Sequence, residues 1–149
     1  MVGDGGLRSD IKELAEKLNI SNKIHLAGWR IDVPEIMNSI DILVLTSLWE
    51  GLPRVLPQAM AAGVPVVASD VNGSREAIHD GVNGFVIEPH DIQGMARKIL
   101  YLLKHPDVAR SMGKKGTAMV REFDIWKMLR QQEQLYSSLT GSNCTGDCG

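Results

Sequence analysis

Four short apolar runs, at residues 24–27, 42–45, 64–68 and 84–87, restrict what this chain can fold into. Each is rich in β-branched residues and bounded by turn formers, the pattern of strands buried on both faces of a parallel sheet. Parallel neighbours cannot be joined by a tight turn, so each pair needs a crossover, usually a helix. Residues 10–18, 33–39, 55–62 and 74–78 have the periodicity of such helices, giving a βαβα rhythm. A longer helix is expected at 91–103, with Ile92, Met95, Ala96, Ile99, Leu102 and Leu103 as its apolar face and Asp91 placed to cap it. Pro106 opens another helix running to about Glu122, and a last one covers 126–139. The expected architecture is α/β, a three-layer Rossmann-like domain with a mostly parallel sheet over residues 1–140, followed by a flexible tail at 141–149.

A chain of 149 residues is long enough for one well-buried core. Its net charge of −2 leaves no basic footprint for nucleic acid. No apolar run approaches the length of a membrane span and no signal-peptide pattern opens the chain, so a cytoplasmic protein is expected. Cys144 and Cys148 fall in the small, polar tail and are two ligands short of a structural zinc site. His25, His79, His90 and His105 do not cluster at metal-ligand spacing, and neither a Walker loop, a G-x-G-x-x-G nor a nucleophile elbow is present. The start, Met1-Val2-Gly3-Asp4-Gly5, looks like the end of a strand entering a glycine turn without the preceding strand and crossover helix. The chain is therefore expected to be a piece of something longer.

Ligand sites in open α/β sheets lie beyond the carboxyl ends of the strands, so the loops there carry the candidate chemistry. Glu50 follows the run 42–45 after Thr46-Ser47-Leu48-Trp49. Its carboxylate could accept two hydroxyl hydrogen bonds from one sugar ring, and charge-assisted bonds of this kind exceed neutral ones in strength. A surface glutamate capping the next helix is the alternative. Gly51-Leu52-Pro53 lets backbone amides approach a ligand closely, Gly51 having no Cβ to obstruct. The helix beginning near Arg54 or Val55 presents free N–H groups and the positive end of its dipole, which suits a diphosphate, and Pro57 fits its first turn. Arg54 is either a cation beside that phosphate or a solvated surface side chain. Gln58, one turn inside the helix, offers an amide donor and an acceptor for ribose hydroxyls. After the run 24–27, Gly28-Trp29-Arg30-Ile31-Asp32 either rims a base or serves structure, with Asp32 as a helix N-cap. Ser74 is placed to cap the helix at 74–78.

Several segments together resemble, in order and spacing, the carboxy-terminal donor-binding domain of glycosyltransferase family 4 (group 1), which has the GT-B fold. They are Gly3-Asp4-Gly5, Ala27-Gly28, the stretch from Glu50 to Gln58, Ala61-Ala62-Gly63-Val64-Pro65-Val66-Val67, and Gly81-Val82-Asn83-Gly84. The resemblance covers roughly residues 1–140, and at one position the family has a second glutamate where this chain has Gln58. It implies half of an enzyme that uses neither metal nor cofactor. Such an enzyme moves a hexose from a nucleotide diphosphate sugar to an acceptor with retention of configuration, here in polysaccharide or lipopolysaccharide assembly. Glu50 would then hold the donor hexose as the catalytic carboxylate. Gly51, Leu52 and Pro53 would contact sugar and phosphate, Arg54 and Val55 would stand by the diphosphate, Gln58 by the ribose, and the Arg30–Asp32 loop by the base. The same resemblance implies that the acceptor domain, and the first strand-loop-helix of the donor domain with its arginine and lysine, lie outside this sequence. A separate acceptor-domain chain or a homodimer would be the partner, with the last helix left to pack on a neighbour, in the cytoplasm or at the inner membrane face. The isolated chain is then expected to bind a nucleoside diphosphate weakly and to transfer no sugar. The alternative is a non-catalytic nucleotide-sugar-binding module, or a truncated remnant, acting through a partner or dimer.

Overall fold

The computed structural model describes residues 1–140; the expected tail, with Cys144 and Cys148, lies outside the described residues. The chain divides into two compact units, one of residues 1–36 and one beginning at Met37.

In the first unit, helix α1 (Arg8–Lys17) buries Ala15 and is followed by a 3-10 turn at Ser21–Lys23. The run 24–27 is not a regular strand. It lies extended beside residues 1–3, with the Met1 ammonium donating to the His25 carbonyl (2.6 Å), Ala27 N–H to Met1 O (2.9 Å) and Gly3 N–H to Gly28 O (2.8 Å). Only the isolated Gly3–Gly28 bridge results, because the neighbouring segment within this unit is too short to propagate a ladder. Helix α2 (Val33–Met37) runs across the boundary between the units in sequence.

The second unit is built on three parallel strands, β1 (Leu43–Leu45), β2 (Val66–Ser69) and β3 (Gly84–Ile87), in that spatial order. Val67 pairs with Val44 on one side and Phe85 on the other. This is the α/β class and parallel pairing expected. Central β2 is buried along its whole length, as a strand covered on both faces must be. Alternation along β2 and β3 sends Val67, Phe85 and Ile87 into one core with Leu102 and Met112, against which Ile42, Met95 and Ile99 also pack. Each fully buried side chain of this size contributes about 1.5–3 kcal/mol relative to exposure.

The crossovers follow from local signals. Helix α3 (Val55–Ala62) has the expected bounds and buries Leu56, Ala59 and Met60. It ends on Gly63 at φ +71, where Gly63 N–H bonds Met60 O (3.1 Å) and Val64 N–H reaches back to Ala59 O (2.9 Å). That left-handed turn needs glycine and delivers the chain directly into β2. Helix α4 (Asn72–Ala77) begins two residues earlier than expected, on Val71 in an extended conformation. Ser74 is consequently not a cap but the helix's third residue, wholly buried, and its Oγ has no hydrogen-bond partner among the described residues. Asn83 is buried and structural: it accepts from His79 N–H (2.8 Å) and donates to Ala77 O (3.0 Å), closing the turn into β3.

Helix α5 (Ile92–Lys104) is capped as expected, the Asp91 carboxylate accepting from Gly94 N–H at 2.7 Å. Its buried face is narrower than the sequence suggested, with Leu102 fully buried but Ile92 and Leu103 exposed. Helix α6 (Pro106–Met119) packs on α3, with Thr117 donating to Met60 O at 3.1 Å, and passes into a 3-10 turn at Val120–Phe123. Helix α7 (Ile125–Thr140) has no buried residue.

Candidate functional site

Beyond the carboxyl end of β1 the chain leaves the sheet at Thr46 and reaches Glu50 in an open loop. Glu50 is exposed, and its Oε1 accepts from Ser47 Oγ at 2.9 Å. A hydroxyl that rotates to suit its partner leaves the rest of the carboxylate available to ligand. Trp49, immediately before it, is 84% exposed. After Glu50, Gly51 and Leu52 are exposed and Pro53 is buried, so the loop is anchored where α3 begins. Arg54 is the N-cap residue of α3, exposed and in a helical conformation. Leu56 N–H is donated to Pro53 O (3.0 Å) and Pro57 has none, so the donors facing outward are those ahead of Leu56. Gln58 is exposed on α3, its N–H bonded to Arg54 O at 3.3 Å. Glu50, Gly51, Leu52, Arg54 and Gln58 are thus the exposed residues of a rim made of a loop, anchored at buried Pro53, and the first turn of a helix.

This rim rests on α4. A Cβ placed on Gly73 would lie 1.2 Å from the Gly51 carbonyl oxygen and 2.9 Å from Leu52 Cα. No side chain fits there, so only glycine lets the loop and the helix meet backbone to backbone.

Next to that contact, Asp70 follows β2 and is fixed by Ile87 O accepting its N–H at 2.7 Å. Its carboxylate takes both Nε and Nη2 of Arg75 in a two-point pair, the fork geometry that suits guanidinium and carboxylate. The Asp70 side chain is 11% exposed and that of Arg75 69%. The guanidinium holds Asp70 below the usual carboxylate range, although partial burial opposes this, and Glu88 nearby adds to the shift. Arg75 is pushed up, first by Asp70 and also by Glu88. Asp70, Arg75 and Gly73 were not singled out from the sequence. A glycine inside a helical stretch, followed two residues on by an arginine five residues from an aspartate at a strand end, was the available signal.

In the first unit, Arg30 and Asp32 bind each other. Arg30 Nε donates to Asp32 Oδ1 at 2.7 Å and Nη2 to the other oxygen, which lowers Asp32 and raises Arg30. The Asp32 carboxylate is thus engaged by Arg30, while the backbone carbonyl of Asp32 accepts Ile36 N–H at 3.2 Å. Trp29 and Ile31 on either side of Arg30 are exposed.

Cavity volume points elsewhere. A hollow of about 490 Å³ lies at the amino ends of β1 and β2, lined by Ile42, Gly63, Pro65, Leu102 and Arg110, among others. A groove of about 380 Å³ lies between the carboxyl ends of the strands and α5, lined by residues including Thr46, Leu48, Ser69, Glu88 and Met95. Neither includes Glu50 or Gln58. The rim differs from both in joining an exposed carboxylate, Glu50, to the first turn of a helix. Among the described residues, no group of three or more His, Cys, Asp and Glu side chains is placed to hold a metal ion, and no helix is long and apolar enough to cross a membrane.

A family model described as "Glycosyl transferases group 1" matches residues 1–119. The chain is 33% identical over 138 residues to the UDP-Gal:alpha-D-GlcNAc-diphosphoundecaprenol alpha-1,3-galactosyltransferase of Escherichia coli, covering 91% of this chain and 35% of that protein. It is 34% identical over 137 residues to the N-acetyl-alpha-D-glucosaminyl L-malate synthase of Bacillus anthracis, covering 91% of this chain and 36% of that one. The crystal structure of Anabaena HepE in complex with UDP-glucose superposes with a TM-score of 0.83 at 30% identity, over 92% of this chain and 40% of that one. The chain therefore spans little more than a third of the length of these relatives.

Proposed function

The chain belongs to the group 1 glycosyl transferases, and on that premise we propose that residues 1–140 are the donor-binding part of such an enzyme, taking a nucleotide diphosphate sugar. The observation that carries this reading is the exposed rim from Glu50 to Gln58. It offers a carboxylate for sugar hydroxyls, the backbone N–H groups of Gly51, Leu52, Arg54 and Val55 for phosphate oxygens and the Gln58 amide for ribose. Similarity to a protein crystallised with UDP-glucose supports uridine as the first base to test. The Arg30–Asp32 pair is assigned to the base-proximal loop, where each partner cancels the other's charge and leaves shape and the flanking Trp29 to do the recognising.

The reaction proposed for the complete enzyme is hexose transfer with retention, in polysaccharide or lipopolysaccharide assembly in the cytoplasm. The bond between sugar C1 and the diphosphate oxygen breaks, and an acceptor hydroxyl oxygen bonds C1 on the same face. The hydroxyl proton departs with the nucleoside diphosphate. Charge building up on that leaving group must be stabilised, and Arg54 is the exposed cation this rim supplies. An acceptor-binding half, on a separate chain or a second copy, completes the site. These 149 residues alone bind donor without turning it over. Thermal unfolding with UDP-, GDP- and ADP-sugars tests the reading: a donor that binds the native state raises the midpoint with concentration. No stabilisation by any of them contradicts it.

A further inference from the structure

We infer that the Asp70–Arg75 pair is a positioning device for the donor loop, setting where Glu50 stands without touching the donor; this rests on the donor-binding reading above. The loop has little support of its own, since exposed Glu50 is bonded only to the half-buried Ser47 among the described residues. Its support comes from below, where Gly51 and Leu52 bear on Gly73 of α4 with no room for even a methyl group. Helix α4 has only six residues and no side-chain cap, too short to hold its place by helical stability. Besides the burial of Ser74 and Ala77, what holds it is the two-point pair from Arg75, in its second half, to Asp70 at the end of β2. Asp70 is itself tied to β3 through the 2.7 Å bond to Ile87 O. A continuous path therefore runs from the sheet through Asp70, Arg75 and Gly73 to Gly51 and Glu50.

A direct role for Arg75 as a phosphate cation is the competing assignment. Geometry argues against it: the Asp70 carboxylate already takes both Nε and Nη2 of Arg75 and offsets its charge, so this guanidinium has no free fork for a diphosphate. Arg75 acts through the loop.

The test uses the whole 149-residue chain, UDP and UDP-glucose as probes, and the variants Arg75→Gln, Asp70→Arg with Arg75→Asp, Glu50→Ala, and Arg75→Gln combined with Glu50→Ala. Because the device acts on Glu50, Arg75→Gln weakens UDP-glucose by about five- to tenfold and UDP by less than about twofold, and in the Glu50→Ala background that selective loss disappears. The swapped pair restores UDP-glucose binding to within about twofold of native, since the fork geometry is kept. The amide resonances of Gly51 and Leu52 move in Arg75→Gln while those of α5 do not. Native UDP-glucose affinity with unmoved Gly51 and Leu52 resonances in a folded Arg75→Gln chain overturns the positioning role alone. An equal loss for both probes makes Arg75 a phosphate contact or a general stabiliser and also overturns it. Failure of the native chain to bind either probe overturns the donor-binding reading and this role with it.

Discussion

The Gly51 carbonyl oxygen occupies the place where Gly73 would carry a Cβ, 1.2 Å from the ideal position of that atom. A loop carbonyl thereby fills the volume that any side chain at position 73 of the short helix would need. Backbone meets backbone there, so the loop and the helix cannot shift independently toward each other.

Gly73→Ala must separate the two backbones. The expected cost is about 1–3 kcal/mol, as for other overpacked sites. For a chain of this size that is roughly 2–4 °C of melting midpoint per kcal/mol. Calorimetric unfolding checks it, and a native midpoint in Gly73→Ala contradicts the contact.

Acid should act on Asp70 in a definite direction. Its folded pKa is lowered by Arg75, so the pair contributes stability that is fully present above the unfolded carboxylate value of about 3.9. That stability is lost as pH falls through the folded value. Urea midpoints between neutral pH and acid should therefore fall more steeply in the native chain than in Asp70→Asn, with the difference confined to the region below about pH 4. Parallel profiles would show that the pair carries no linkage.

Much of this was legible in the sequence. The strands 42–45, 64–68 and 84–87 were marked by β-branched runs, and α3 by Gly63 and Pro65 at its end, because buried parallel strands and left-handed helix ends restrict residue choice strongly. Asp91 announced its cap in the same way. The segment 24–27 has strand composition and yet no regular ladder, since pairing depends on a neighbour and not on propensity. Ser74 looked like a cap because serine usually is one; here Val71 turns the chain first and the hydroxyl is buried instead. Within the candidate site, the residues proposed to meet the donor are contiguous in sequence, which made them nameable from it. Their support could not, because Gly51–Gly73 and Asp70–Arg75 are contacts made by folding and leave no periodic trace.

Asp91→Ala should remove the only side-chain cap of α5, whose N-terminus lies beside the end of β3. The expected loss is about 1 kcal/mol. Denaturant titration measures it, with an unchanged slope if the native fold is otherwise kept.

Gln58→Glu tests the ribose assignment. A carboxylate accepting from a ribose hydroxyl exceeds a neutral amide by about 1 kcal/mol, so the UDP dissociation constant should fall by roughly three- to tenfold. Because Gln58 is exposed, the melting midpoint of the free chain should not move. Unaltered UDP affinity would remove Gln58 from the site.

The most direct measurement is calorimetric titration of UDP-glucose and of UDP into the native chain and into Glu50→Ala. Glu50 is exposed and bonded only to Ser47 among the described residues, so the variant should fold as the native chain does. Losing a charge-assisted contact to the hexose should weaken UDP-glucose by about ten- to a hundredfold and leave UDP within about twofold. Equal affinities of the two proteins for UDP-glucose, or equal losses for both ligands, would contradict the assignment of Glu50 to the donor sugar.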